Sequence, residues 1–343
     1  MLCAIKHYLF WGCKLIQGKH GGDIYKAAKT LGVDICEISD FSSNVSSFRP
    51  ESLGKLNFLE SISILPEPYS RSLKEAYAFK NKLSLEDISI TSGTTEAIEK
   101  ICRIYSGKKA FIKRPTYSDY EFYCDMFSLC QTPTYESADV CFICNPNNPT
   151  GETFCREKLL ELINKNPQTM FVVDESYMPF HINEPDFTLQ NFLIDNLIVL
   201  RSFSKIFGVP GLRLGFAITG NKKIVDTIES MVSPWSVNSL AQEAGKLLVE
   251  ENSFEVAVKF SKIKELFLQE LKKFENIEVT PSDVNFILCK IEGRESKDIF
   301  ESCLKDKVLI RDCSNFKGLD KGYVRFSLKE DMSSLLTTLE KIL

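Results

Sequence analysis

Lys205 stands where chemistry can start. The apolar run Leu197 to Leu200 reads as a buried strand. It gives way to Arg201, Ser202, Phe203 and Ser204 just before the lysine. A turn-rich segment, Gly208 to Gly211, follows, and Arg213 comes eight residues after Lys205. A lysine amine can form an imine with an aldehyde. Ser202, Ser204 and Arg213 can hold an anion attached to that aldehyde. Pyridoxal 5'-phosphate carries both groups. A solvated lysine after a strand would explain Lys205 taken alone. The grouping favours the chemical reading if the other parts of such a site occur elsewhere in the chain.

Three stretches supply those parts. Ser92, Gly93, Thr94 and Thr95 lie between a strand and a helix. Backbone N–H groups at a helix start point at an anion, and glycine lets it approach closely; an ordinary capping turn has the same composition. In Asn145 to Gly151 (NPNNPTG), two prolines and a glycine fix a rigid turn at a strand end. Asn148 can then donate to a phenolate oxygen such as the coenzyme's. In Phe171 to Tyr177 (FVVDESY), an acid ends a buried strand, which is costly unless it is paired. Asp174 facing a pyridine nitrogen keeps that nitrogen protonated, and the ring then accepts electrons from a substrate's α-carbon. Tyr177 can reach the same phenolate as Asn148. Tyr117 can stack on the ring, although a core aromatic reads much the same way.

The elements around these residues alternate. Strands are expected at Ile88 to Thr91, Ala110 to Ile112, Val140 to Cys144, Phe171 to Val173 and Leu197 to Leu200. Helices are expected at Asp23 to Leu31, Ser72 to Lys80, Glu96 to about Ile104 and Arg156 to Asn164. Such alternation of short apolar runs with helices predicts a largely parallel sheet covered on both faces. Ligands of such sheets sit beyond the carboxyl ends of the strands, where the singled-out residues fall. Helices at Lys222 to Met231, Asn238 to Glu251 and Val256 to Phe274 come next. The tail alternates again, with strands at Ile277 to Thr280, Phe286 to Cys289, Val308 to Arg311 and Tyr323 to Phe326, and helices at Lys297 to Lys305 and at the end. That predicts a second, α+β domain. The expected division is an N-terminal segment 1–45 belonging to the small domain, a large domain 46–235 and a small domain 236–343, joined near Ser233-Pro234-Trp235.

The chain has 343 residues, enough for a large and a small domain. Its net charge of −4 gives no general attraction to nucleic acid or to an anionic membrane. The twelve cysteines are scattered singly through a long chain and read as free thiols in a reducing cytosol. Cys141 and Cys144 form the one C-x-x-C, on a strand where positions three apart face opposite sides. Only His7, His20 and His181 are present, so no metal site is expected. Met1 to Ile16 is apolar but carries Lys6, His7 and Lys14, too short and charged to span a bilayer. It has no small-residue cleavage site, and no signal peptide is expected.

The motifs SGTTE, NPNNPTG, DESY, SFSK and PGLRLG resemble the fold-type I aminotransferase superfamily of pyridoxal-phosphate enzymes. The resemblance implies an α/β fold, a mostly parallel sheet sandwiched by helices plus a smaller α+β domain. It implies Lys205 as the imine lysine, Asp174 on the ring nitrogen, and Asn148 and Tyr177 on the ring oxygen. Gly93, Thr94, Thr95, Ser202, Ser204 and Arg213 would surround the phosphate. Further stretches, HGGDIY from His20, DFSSN ending at Asn44, SPWSVNS from Ser233 and VLIRDCSNF from Val308, resemble the threonine-phosphate decarboxylases of cobalamin synthesis, close kin of the histidinol-phosphate aminotransferases. That likeness covers about residues 19 to 330. It places Arg311 and Arg325 where substrate anions are held, with His20, Gly21, Asn44 and Asn148 beside them. A substrate with a carboxylate and a phosphate needs at least two cations, and the arginine fork suits both. Relatives usually carry a tyrosine before Pro-Asp near the substrate phosphate and partner subunit. Here Leu65 precedes Pro66-Glu67, with Tyr69 four residues on.

The expected protein is a cytoplasmic, homodimeric decarboxylase of a small phosphorylated amino acid, threonine phosphate or serine phosphate. One methyl group separates those two substrates, worth about 1–3 kcal/mol of discrimination. A histidinol-phosphate-type aminotransferase is the alternative. Which of the two reactions runs depends on which bond at the α-carbon stands perpendicular to the ring, and sequence does not fix that. A silent binding protein of the same fold would have lost Lys205 or Asp174, and both are present.

Overall fold

The computed structural model describes residues 20–343, so the N-terminal stretch Met1 to Ile16 lies outside the described residues. In chain order the strands are β1 (Ser39–Asp40), β2 (Ile88–Thr91), β3 (Lys109–Ile112), β4 (Cys130–Gln131), β5 (Val140–Cys144), β6 (Met170–Asp174), β7 (Leu197–Arg201), β8 (Gly215–Ile218), β9 (Ile277–Val279), β10 (Phe286–Ile291), β11 (Val308–Leu309), β12 (Arg311–Asp312) and β13 (Tyr323–Ser327). Seven of them form one sheet in the order β2-β8-β7-β6-β5-β3-β4. The neighbours from β7 through β4 run parallel. β8 is antiparallel to both β7 and β2.

The central strands are apolar up to their carboxyl ends, where Asp174 closes β6 and Arg201 closes β7. Every residue of β5 and of β6 is buried. That is the signature of strands covered on both faces, and helices supply the cover. Helix Thr94–Ile104 buries Ala97, Ile98, Ile101 and Cys102, the i, i+3, i+4 pattern of an amphipathic helix. Helix Lys222–Met231 does the same with Ile224, Val225 and Ile228.

The C-terminal part forms a four-stranded antiparallel sheet, β12-β13-β10-β9. The run Val308 to Arg311, expected as one strand, is divided between two sheets. β11 pairs in parallel with β1, and β12 pairs with β13. The β1·β11 pair ties residues 39–40 to the C-terminal part of the chain. Helix Ile24–Leu31 is bounded as its sequence suggests: the Asp23 carboxylate accepts from Lys26 N–H, and Gly32 closes it in the left-handed region.

Candidate active site

The carboxyl ends of parallel strands lie along one edge of a sheet, and the loops that leave them meet there. β2 leads into Gly93 to Thr95, β3 toward Tyr117, β5 into Asn145 to Asn148, β6 into Ser176 and Tyr177, and β7 into Ser202 to Lys205. Arg213 reaches the same edge by another route. Because β8 is antiparallel, its beginning lies beside the end of β2, with Gly215 opposite Thr91. Arg213, two residues before that strand, takes a left-handed backbone at φ 55.

These loops enclose a cavity of about 130 Å³ lined by Gly93, Thr94, Thr95, Tyr117, Tyr120, Cys144, Asn148, Asp174, Ser176, Tyr177, Ser202, Ser204, Lys205 and Arg213. Two glycines make its tight end. Gly93 has φ +80, and a Cβ there would stand 2.6 Å from Arg213 Nη2. A Cβ on Gly215 would stand 2.4 Å from Thr94 N. Helix Thr94–Ile104 therefore starts against β8, with its first N–H groups and the Arg213 guanidinium side by side. At the other end lies Asp174, 5% exposed. Its Oδ1 accepts from Ser176 N (3.0 Å) and Ser176 Oγ (2.6 Å), and its Oδ2 from Tyr120 Oη (2.8 Å). It makes no ion pair among the described residues, so a buried carboxylate faces the cavity with only neutral donors around it.

Directly behind, Glu175 points to the opposite face of the sheet, as successive strand residues do. It is fully buried and accepts from Arg201 Nη1 (3.0 Å), Leu189 N (2.6 Å) and Thr188 Oγ1 (2.5 Å). Arg201 also pairs with Glu184. This cluster joins the ends of β6 and β7, the two strands that deliver Asp174 and Lys205.

A second cavity of about 150 Å³ adjoins the first and shares Tyr117, Asn148, Tyr177 and Lys205 with it. The rest of its lining is His20, Gly21, Ser42, Ser43, Asn44, Ser118, Arg311, Phe316 and Arg325. Arg311 and Arg325 are direct cross-strand neighbours. Like charges placed opposite each other repel, and both are buried. Burial holds the Arg311 guanidinium down at about 10, and Arg325 is lowered as well. Arg325 lies over the Phe286 ring (5.1 Å), donates to Asn148 Oδ1 and to Ser42 O (2.9 Å), and keeps a buried Nε without a partner. Arg311 lies over Phe316 (4.9 Å) and donates from Nη2 to Asn315 Oδ1 (2.8 Å).

Lys205 sits where the two cavities meet. Burial, aided by Arg325 and Arg213 and opposed by Asp174, lowers its amine to about 8. A nucleophilic amine gains from such a shift, because more of it is unprotonated near neutral pH. Burial raises the Tyr177 hydroxyl to about 12, and Asn44 Nδ2 donates to it at 3.2 Å. Asn44 is itself clamped by Ser327 Oγ (2.7 Å) and Asn285 Nδ2 (3.1 Å). His20 lies at the rim with Nε2 3.2 Å from Asp119 Oδ1, while Tyr117 donates to Asp119 Oδ2 at 2.6 Å. Leu65 and Tyr69 are exposed and line neither cavity.

The profile of the family described as "Aminotransferase class I and II" matches residues 60–342. The chain belongs to the class I and II aminotransferase family. Enzymes of this family depend on pyridoxal phosphate. The histidinol-phosphate aminotransferase of Methanocaldococcus jannaschii is 31% identical over 96% of this chain and 94% of its own length. The solved L-threonine-O-3-phosphate decarboxylase of Porphyromonas gingivalis is also 31% identical, with a TM-score of 0.82, covering 89% of this chain and 99% of that one. The histidinol-phosphate aminotransferase of Sinorhizobium meliloti, solved in complex with pyridoxal-5'-phosphate, shares the fold at a TM-score of 0.83 and 18% identity over 95% of both chains. The first cavity fits that coenzyme. It offers helix-start donors, hydroxyls and a guanidinium at one end, an amine in the middle, and at the other end a carboxylate that a ring N–H would complete.

Every residue expected to hold coenzyme or substrate lines one or both cavities, whereas Leu65 and Tyr69 do not. Sequence reasoning passed over other supporting residues, among them Tyr120 and Phe316 in the lining and Lys329 outside it. Tyr120 holds Asp174, and its signal was its place three residues after Tyr117 on the first turn of helix Ser118–Met126, where i, i+3 residues share a face. Phe316 lies under Arg311. Lys329 donates to Ser43 O (3.1 Å) and Val45 O (2.9 Å), holding the Asn44 loop in place. Phe316 is only five residues from Arg311, but a lone aromatic there reads as an ordinary core residue. The partners of Lys329 are more than 280 residues away, so nothing local marks it.

Proposed function

We propose that the protein is a pyridoxal-phosphate-dependent decarboxylase that converts an O-phospho-amino acid, threonine phosphate or serine phosphate, into an aminoalkyl phosphate for cobalamin synthesis. The observation that carries this reading is the buried cross-strand pair Arg311 and Arg325 in a small cavity beside Lys205. Two desolvated guanidiniums at one site are stabilised by a compact ligand with two anionic groups, and a carboxylate plus a phosphate is such a ligand.

In this reading Lys205 holds the coenzyme covalently. Gly93, Thr94, Thr95, Ser202, Ser204 and Arg213 take its phosphate, Asn148 and Tyr177 its phenolic oxygen, Tyr117 its ring face and Asp174 its ring nitrogen. When bound, the coenzyme supplies a sink for the electron pair left at the substrate's α-carbon. Arg311 and Arg325 hold the two substrate anions, so the orientation of the carboxylate is set by the protein. Asn44 and His20 narrow the cavity around the substrate. Once the substrate's own amine has displaced Lys205 from the coenzyme, the freed and protonated Lys205 Nζ would supply the proton that replaces the departing CO2 at the α-carbon.

Transamination is the second reading, favoured by the likeness to the archaeal aminotransferase at the same identity as the decarboxylase. The loaded protein is to be incubated with phosphothreonine, phosphoserine, and histidinol phosphate plus 2-oxoglutarate, with CO2 and glutamate measured. CO2 from a phospho-amino acid supports the proposal; glutamate without CO2 rejects it for the aminotransferase. A second copy of the chain is the proposed partner. The exposed Phe58, Leu59, Ile62, Ile64 and Leu65 crowd one short stretch, and such a patch marks an interaction surface.

A further inference from the structure

Asp174 meets a tyrosine as well as the cavity. Tyr120 Oη donates to Oδ2 at 2.8 Å, while both donors of Ser176 occupy Oδ1. The Tyr120 ring is 1% exposed. It stacks on Phe142 of β5, with centroids 5.4 Å apart and planes at 16°, and meets the edge of Tyr117 at 5.6 Å. β5 is the hydrogen-bonded neighbour of β6, the strand that ends in Asp174. The hydroxyl is thus delivered by a ring with no room to swing. We infer that Tyr120 is a positioning residue: it fixes the plane of the Asp174 carboxylate against the coenzyme cavity and draws charge from it, so that the proton between Asp174 and the coenzyme's ring nitrogen stays on the ring. The inference rests on the proposed pairing of Asp174 with that nitrogen.

The chemistry is that of a charge-assisted hydrogen bond, in which a donor to a carboxylate lowers its affinity for a proton. Tyr120 is suited to be a permanent donor, since burial and the neighbouring Asp174 hold its hydroxyl well above the ordinary range. The other titratable or charged groups lining the coenzyme cavity are Tyr117, Cys144, Tyr177, Lys205 and Arg213. Burial keeps the two tyrosines and the thiol protonated.

The test uses the full chain with Tyr120→Phe, which keeps the stacked ring and removes only the oxygen. Three quantities are read: equilibrium binding of pyridoxal phosphate by fluorescence, the pH at which the visible band of the loaded protein titrates, and the melting temperature of the coenzyme-free protein. Without the Tyr120 donor the Asp174 carboxylate is less firmly held and secures the ring proton less well. The band's midpoint should then move upward by about half a pH unit, and the coenzyme should bind roughly tenfold more weakly, about 1.4 kcal/mol. Introducing 3,5-difluorotyrosine at position 120 keeps the shape and strengthens the donor; the midpoint should then move downward. A Tyr120→Phe protein with unchanged affinity and midpoint, whatever its melting temperature, overturns the inference and leaves the hydroxyl a purely structural group. Asp174→Asn is the control for the underlying reading. If it too leaves the affinity and midpoint unchanged, the pairing of Asp174 with the ring has failed rather than the role of Tyr120.

Discussion

The rate at which the coenzyme-free protein captures pyridoxal phosphate should bend near the pKa of Lys205. Only the unprotonated amine attacks an aldehyde. With the amine at about 8 rather than the ordinary 10.5, roughly one molecule in ten is reactive at about pH 7, against roughly one in three thousand for an unshifted lysine, a gain of about 300-fold. The causes of the shift predict how it responds to substitution. Arg325 depresses the amine and Asp174 raises it. A unit charge about 10 Å away at an effective dielectric near 20 is worth about 1.7 kcal/mol, or roughly one pH unit. Arg325→Gln should move the bend upward by about that much, and Asp174→Asn should move it downward. The assay is stopped-flow absorbance of the growing visible band from about pH 6.5 to 9.5. The logarithm of the rate should rise with unit slope and flatten above the bend. A rise that continues past about pH 9.5 without flattening, or variants that move the bend in the same direction, would refute the electrostatic reasoning. Lys205→Ala should give no band at all, and a normal band in that variant would mean that another lysine does the work.

Gly93→Ala should weaken coenzyme binding by tenfold or more and also lower the melting temperature of the free protein, since its Cβ would meet the Arg213 guanidinium and its φ of +80 disfavours a side chain; titration of the cofactor and a thermal melt check this. Glu175→Gln should cost about 3–5 kcal/mol in urea melts by leaving Arg201 partly uncompensated in a buried site, with Tm falling in parallel. Arg311→Met and Arg325→Met should each raise the KM for a phospho-amino acid by about 30-fold or more, equal to at least 2 kcal/mol for one lost charged partner. Leu65→Asp should shift a dimer toward monomer in sedimentation if the exposed apolar stretch is covered by a second copy; an unchanged mass would assign that patch to something else.

Most of the site could be read from local sequence because its parts are local. Each loop carries its own signature, the glycine and threonines before one helix, the paired prolines after β5, the acid at the end of β6, the serines before Lys205. Each sits just past an apolar run, and strand ends on a parallel sheet have a known side. The course of Arg213 was not local. Its reach depends on β8 lying antiparallel between β2 and β7, a pairing choice that a four-residue apolar run does not encode. The same holds for Val308 to Arg311, where one apolar run serves two sheets because Ser39–Asp40 takes one half and β13 the other.

The sequence by itself determined the chemistry available to this protein: an amine, an acid and a set of anion-binding groups, each tied to a strand end by turn residues that permit little else. The tertiary structure decided what surrounds them. Only packing across long separations puts Tyr120 on Asp174, Asn44 on Tyr177, Arg325 on Asn148, and two arginines side by side next to Lys205. Desolvation and neighbouring charge set how readily Lys205 loses its proton, and both are properties of assembled neighbours, which a residue's place in the chain does not specify.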